Sequence, residues 1–553
     1  MAADRPELGE PDRPGRPQHA GRGPLPGQHP RPRRHRARHA PRPRRIRPVR
    51  PPDHRRNHGR RVERLTTSPV PATDTTAATG VPAPEPSPGA DELAARIATG
   101  LPTGFVWGAA TSAYQIEGGA REGGRGPSIW DVFARTPGMT ANGENGDVAA
   151  DHLHRYREDV ALMAGLGLGA YRFSVAWPRI VPAGSGAVNP DGLAFYDRLV
   201  DEILAAGIDP WLTLYHWDLP QPLQDAGGWP NRDTALRFAD YTEHVVSALG
   251  DRVRHWSTLN EPWCSAFEGH LTGRHAPGVR DAGAAVRAVH HLLLAHGLGT
   301  AVLRAHGAAD VGITLNLIPA EPPPDAGGAG DAVRLVDGQQ IRLWLDPVLH
   351  GTYPSDVIAD FARAGAELPA QDGDLAVIAQ PVDWIGVNYY APHIVAPGPD
   401  PSPKPTPFAG AGNVTRVPTS EDVTALGWPV RPRSFLALLR RLGADYPGVP
   451  FYIHENGAAY DDEVSPDGTV HDPLRVRYLA GHLDAVRQAS EDGVDVRGYF
   501  VWSLLDNFEW AEGYRMRFGI VHVDFESLVR TPKSSGLWYS RLIREHRAAS
   551  GTR

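Results

Sequence analysis

The chain has 553 residues, and its 57 Lys and Arg against 64 Asp and Glu give a net charge of −7. That balance hides two segments of opposite sign: residues 1–65 hold 19 Arg and 6 acidic residues, a net of +13, while the remainder carries −20. A single cysteine, Cys264, excludes a disulfide framework and any multi-Cys zinc site, and the lack of a run of about 18 apolar residues predicts no membrane partner.

The leader comes first in chain order. All 44 Phe, Tyr and Trp residues lie from Phe105 onward. A Pro- and Arg-rich segment without aromatic rings builds little core, so residues 1–97 are expected to be a disordered leader and linker. Runs such as Arg31-Pro32-Arg33-Arg34 would attract phosphate backbones, which gives a nucleic-acid-binding tail as one reading. The other reading is a mis-assigned start, because Arg, Pro, Ala, Gly and His dominate as they do in translated GC-rich DNA. A start at Val62 or Leu65 would then leave only a Thr/Pro/Ala-rich linker. Composition favours this second reading, so no nucleic-acid partner is expected unless the basic leader is expressed. The leader has no apolar stretch of the secretory type, and the expected location is the cytoplasm.

From residue 98 to 548 the pattern predicts one catalytic domain of α/β class, a (β/α)8 TIM barrel. Eight strand-like runs recur: 105–111, 170–177, 210–216, 256–260, 311–317, 384–389, 451–454 and 498–503. Helical stretches separate them. In Pro190 to Gly207, Leu193, Tyr196, Leu199, Val200, Ile203 and Leu204 recur at helical spacing, and Gly207 supplies a stop. Asn231 to Gly250 behaves alike, with Leu236, Val245, Val246 and Leu249 among its apolar positions. The Gly/Pro-rich stretches 319–330 and 397–412 read as excursions from the barrel.

A barrel places its chemistry at the C-terminal ends of the strands. Those ends read Gln115, Arg172 with Trp177, His216 with Trp217, Asn260-Glu261, Asn316, Asn388 with Tyr390, Glu455-Asn456 and Trp502 with Asp506. Amides, an Arg, a His, two Glu and several Trp describe a pocket that binds hydroxyls and stacks on a sugar face. Glu261 and Glu455 each close a strand and each has an Asn neighbour. Glycoside cleavage needs two such carboxyls with pKa values pushed apart.

The segment Phe105-Val106-Trp107-Gly108-Ala109-Ala110-Thr111-Ser112-Ala113-Tyr114-Gln115-Ile116-Glu117-Gly118 is followed by Tyr171-Arg172-Phe173-Ser174 and Tyr215-His216-Trp217-Asp218-Leu219-Pro220. Asn260-Glu261-Pro262, Asn388-Tyr389-Tyr390, Glu455-Asn456-Gly457 and the run Trp502 to Trp510 complete a series. In this order and spacing the chain resembles glycoside hydrolase family 1, the β-glucosidase family, across residues 100–547. The resemblance implies a retaining exo-β-glucosidase acting on a small-molecule β-glucoside or cello-oligosaccharide, with some galactosidase or fucosidase activity and no cofactor or metal. It implies Glu455 as nucleophile and Glu261 as acid/base, with carboxyls about 5–5.5 Å apart. Arg172 and Tyr390 would hold Glu455 ionised, and Glu261 would sit in a drier setting. Gln115, His216, Asn260 and Glu509 would bind glycone hydroxyls, Asn260 at the 2-hydroxyl. Trp502 would form the stacking floor, Trp510 would add an indole N–H, and Trp428 would line the aglycone entrance.

Three residues depart from the family pattern. His454 stands where a small or aliphatic residue is usual, and period-two alternation with Glu455 sends it to the strand's other face. Glu268 and His270 follow the acid/base motif where Leu and Tyr are expected, and both are read as flanking the leaving-group route. A phospho-glycosidase is disfavoured because Glu509 would repel a phosphate and the body holds only Lys404 and Lys533. The oligomeric state is left open by the sequence.

Overall fold

The computed structural model of the protein describes residues 88–324, 330–399, 406–418 and 422–551. The sequence reading of the basic leader over residues 1–65 lies outside the described residues, as do parts of the stretches 319–330 and 397–412.

Eight parallel strands close into a barrel: β1 (Val106–Ala110), β2 (Ala170–Ser174), β3 (Asp209–Tyr215), β4 (His255–Asn260), β5 (Asp310–Asn316), β6 (Trp384–Asn388), β7 (Phe451–Asn456) and β8 (Val496–Trp502). Each pairs with its sequence neighbours, and β1 closes the ring on β8 with Ala110 opposite Trp502. All eight runs anticipated from the sequence are strands, each within a few residues of its expected bounds.

Small residues face large ones across the barrel interior. Trp211, Trp384, Tyr452, Phe500 and Trp502 form one buried cluster there. Gly312 is required because an added Cβ would lie 2.3 Å from the Trp384 ring, and Gly386 because it would lie 2.6 Å from Nδ1 of His454. The interior is thus a packed, largely aromatic plug under the catalytic end.

Helices α1 (Pro88–Gly100), α2 (His152–Leu166), α3 (Pro190–Ala205), α4 (Asp233–Leu249), α5 (Ala282–Ala305), α6 (Pro432–Asp445), α7 (Pro473–Glu491) and α8 (Ser534–Ser550) lie around the strands. Helix α3 begins with Pro at its first turn, whose missing N–H is not needed there, and ends before Gly207 at φ +74°. Its Tyr196, Leu199, Val200 and Ile203 are buried. Two apolar residues assigned to the helix faces are exposed instead: Leu204 in α3 at 38% and Leu236 in α4 at 46%. In α4 the inward stripe is Phe238, Tyr241, Thr242, Val245 and Leu249, and Leu236 lies well off that stripe at about 100° per residue. Apolar identity alone did not fix the facing.

The domain also starts earlier than residue 98. Helix α1 packs against α7 and α8 and buries Ala90, Ala94, Ile97 and Ala98 in the main core. Its small apolar residues carry no aromatic signal, so the sequence reading merged them with the linker. Ile97, fully buried, should lose about 2–4 kcal/mol of stability when changed to Ala. Urea unfolding of I97A checks this; a residue in an unpacked linker would shift stability by about 0.5 kcal/mol or less.

Candidate active site

A cleft of about 390 Å³ opens at the C-terminal ends of the strands. Glu261, Glu455, Tyr390, His216, Trp502, Glu509, Trp510 and Trp428 all line it. Arg172, Gln115 and Asn260 lie behind its wall, each buried.

Glu455 sits on β7 at a break in register. Ile453 pairs with Val387 and Glu455 with Asn388, so His454 is an extra residue, a β-bulge. The bulge cancels the alternation expected from the sequence. His454 turns into the barrel rather than away: its ring lies 4.7 Å from Trp384 and 5.6 Å from Trp211, and its Nδ1 is 2.8 Å from the Thr314 hydroxyl. Burial, and after it the Arg172 charge, push its pKa well below the usual range. It is a neutral ring directly beneath the carboxylate.

Glu261 follows β4 with φ at +44°, and its N–H donates to the Thr314 carbonyl on β5 at 2.9 Å. Trp217 and Trp510 also hold left-handed backbone, at +76° and +49°. Such residues cost about 1–3 kcal/mol each and persist where surrounding structure over-determines them.

The two carboxyls have different partners. Arg172 Nη1 donates to Glu455 Oε1 and the Tyr390 hydroxyl to Oε2, both at 2.7 Å. Among the described residues no cation pairs with Glu261; Asn388 Nδ2 donates to its Oε1 at 2.7 Å and the Cys264 thiol to its Oε2 at 3.1 Å. Burial and then the Glu455 charge push Glu261 up to about 8. Burial also raises Glu455, and Arg172 and Tyr390, expected to hold it ionised, oppose that rise. The asymmetry is what counts: the cation touches Glu455, which favours charge there over Glu261. Glu509, the third acid, is raised to about 8 by burial and by the other two.

Gln115 and Asn260, expected to meet the sugar directly, are engaged by protein. Gln115 Nε2 donates to Asn507 Oδ1 at 2.9 Å and more weakly to Glu509 Oε2 at 3.3 Å. Asn260 Oδ1 accepts from Arg172 at 2.6 Å and from Asn388 at 3.1 Å, while its Nδ2 lies 3.0 Å from His216 Nε2. That amide can only donate at Nδ2, so the neutral His216 ring accepts at Nε2 and carries its proton on Nδ1, which has no protein acceptor. Burial holds His216 well below its ordinary pKa. Glu268 reaches the cleft as expected, but His270 does not: it is buried with Nδ1 2.8 Å from the Ser265 carbonyl of its own helix.

A sequence model of Glycosyl hydrolase family 1 matches residues 97–548. The chain belongs to this family. It is 54% identical over 460 residues to thermostable beta-glucosidase B of Thermobispora bispora, covering 82% of this chain and 92% of that protein. To the bifunctional beta-D-glucosidase/beta-D-fucosidase of Bifidobacterium breve it is 47% identical, covering 81% and 99%. Among solved structures, the psychrophilic beta-glucosidase of Micrococcus antarcticus superposes with a TM-score of 0.78 at 52% identity, covering 82% and 98%. The Thermotoga maritima beta-glucosidase bound to castanospermine gives 0.76 at 45%, covering 81% and 98%. The chain is a glycosidase that hydrolyses O-glycosyl bonds. Among the described residues no helix is long and apolar enough to cross a membrane.

Two supports of this glycosidase site were given no individual role from the sequence. Asn388 links Asn260 and Glu261, and the Asn388-Tyr389-Tyr390 motif was the available signal. Lys533 has no motif to mark it. Its Nζ lies 2.5 Å from Asp462 and 2.7 Å from Asp506, fully buried, and Asp506 also accepts from Arg517 at 2.7 Å. This network anchors the segment between Trp502 and Glu509. Changing Lys533 to Met removes the cation between two buried carboxylates, which keep Arg517 and Arg475 as their other partners, and should cost about 3–5 kcal/mol, read as a fall in the unfolding free energy in urea.

Proposed function

We propose that the chain is a retaining β-glucosidase that removes terminal, non-reducing glucose, with Glu455 as nucleophile and Glu261 as acid/base. The unequal partnering of two buried carboxyls in one cleft carries this reading. Glu455 meets Arg172 and so attacks as the anion, forming a covalent glycosyl-enzyme; Glu261, lacking a cation, begins protonated and gives its proton to the departing oxygen. Esterification then removes the Glu455 charge that had helped raise Glu261. The Glu261 pKa falls, and the same group becomes the base that activates water.

The remaining groups are placed to hold the sugar. Trp502 supplies an apolar face, and the protonated Glu509 and the Nδ1–H of His216 supply donors to hydroxyls. Asn260 keeps one uncommitted N–H, which is available to the 2-hydroxyl, and Gln115 reaches the sugar by yielding its long bond to Glu509. Trp428, 5.6 Å from the Tyr390 ring, lines the entrance where a leaving group or a second sugar would lie. The fucosidase activity named for the relative from Bifidobacterium supports a tolerance for related glycones.

A 2-deoxy-2-fluoro-β-glucoside slows turnover of the covalent intermediate, so peptide mapping after incubation should find one adduct, on Glu455. An adduct elsewhere would refute the assignment. For Glu261, kcat/KM should fall as pH rises through about 8, because the form that protonates the leaving group is lost. In Glu261→Ala this alkaline limb should vanish, with turnover of an activated aryl glucoside restored by azide. No rescue would move the acid/base role to another group.

A further inference from the structure

Beyond Glu261 the cleft wall is built from the wide-turn helix Cys264–Thr272 and the short strands His393–Pro397 and Val414–Arg416. It brings Glu268, Arg274, His393, Arg416 and Glu512 to the opening. Most of these charges are matched. Glu268 accepts from the Thr272 hydroxyl at 2.7 Å and lies 4.0 Å from Arg274. Glu512 accepts from Arg274 at 3.2 Å and also pairs with Arg515.

Arg416 is different. Its guanidinium makes no hydrogen bond or ion pair with any described residue, and its Nε is shut off from solvent without an acceptor. Arg274 meets both Glu268 and Glu512, and Glu512 also meets Arg515 from outside the lining, so neither carboxylate pairs with Arg416. Burial lowers the Arg416 pKa, Glu268 opposes that fall and Arg274 adds to it. A half-buried guanidinium whose Nε has no acceptor gains from an anionic partner at the cleft. Close by, burial and then Arg416 keep His393 neutral, and its Nε2 is also without a partner.

We propose that Arg416 is a specificity-determining residue of the leaving-group subsite and selects β-glucosides whose aglycone carries a carboxylate, such as glucosides of phenolic acids. The planar fork of the guanidinium matches a carboxylate in two parallel hydrogen bonds, which a neutral aglycone cannot offer. The position fits the reaction as read above, on which this inference rests. The expected glycone residues His216, Trp502, Glu509 and Trp510 line the same cleft, whereas Arg416 lies in the field of Glu268 and Arg274, on and just past the helix that follows Glu261.

The test compares 4-carboxyphenyl β-glucoside with its neutral near-isostere, 4-carbamoylphenyl β-glucoside, and with cellobiose. In Arg416→Gln the ratio of kcat/KM for the carboxylate over the carbamoyl substrate should fall about tenfold, mostly through KM, while Arg416→Lys keeps more of it. Dividing each variant's ratio by that of wild type removes the difference in leaving-group acidity. Added salt should lower the wild-type ratio, a readout that needs no variant to fold. A ratio within twofold of wild type in R416Q, a wild-type ratio that salt does not move, or a cellobiose loss as large as the carboxylate loss would overturn the inference. Cleavage of neither aryl glucoside by wild type would overturn the β-glucosidase reading along with it, whereas cleavage of both with the ratio unmoved removes only Arg416's role.

Discussion

The contact between Arg172 and Glu455 organises everything above it. Both groups are buried, and a bare carboxylate at that depth would take up a proton rather than stay charged. The guanidinium spends its second nitrogen on Asn260, which in turn meets Asn388 and His216. One cation therefore fixes the charge on Glu455 and, through a chain of amides, orients the side chains beside it. Glu261, the proposed acid, is met instead by the neutral Asn388 and a thiol.

That division depends on a dry floor. Aromatic rings from β3, β6, β7 and β8 fill the barrel interior beneath the two carboxyls, and His454 joins them as an uncharged ring. In so apolar a setting an unmatched charge is expensive, so small differences in partnering decide which acid holds a proton. The bulge at His454 serves the same end. It allows consecutive residues of one strand to face inward, one packing the floor and the next reaching the cleft.

The rim follows other rules. Its residues come from the long connections after β4, β6 and β8 rather than from the strands, and those connections can change without disturbing the barrel. Family membership accounts for the chemistry at the base of the cleft. What enters beside Glu261 depends on rim residues such as Glu268 and Arg416, which the family's strand-end motifs do not cover.

Much of this was readable from sequence because the signals were local. Eight β-rich runs separated by amphipathic stretches specify a barrel, and polar or aromatic residues at the strand ends specify where its chemistry lies. Glu261, Glu455, Arg172 and Tyr390 were picked out by motif, and the fold brings them to one place. The tertiary structure decided what depends on distant neighbours. Leu204 and Leu236 face solvent, α1 belongs to the core, His454 points inward through a bulge, and Gln115 and Asn260 stand behind the wall rather than on it. It also supplied the unequal partners from which the proton is assigned to Glu261, since burial and partner charge are properties of the assembled site. The folded unit begins by Pro88, ahead of the first aromatic residue, because small apolar side chains packed on α7 and α8 need no ring to be core.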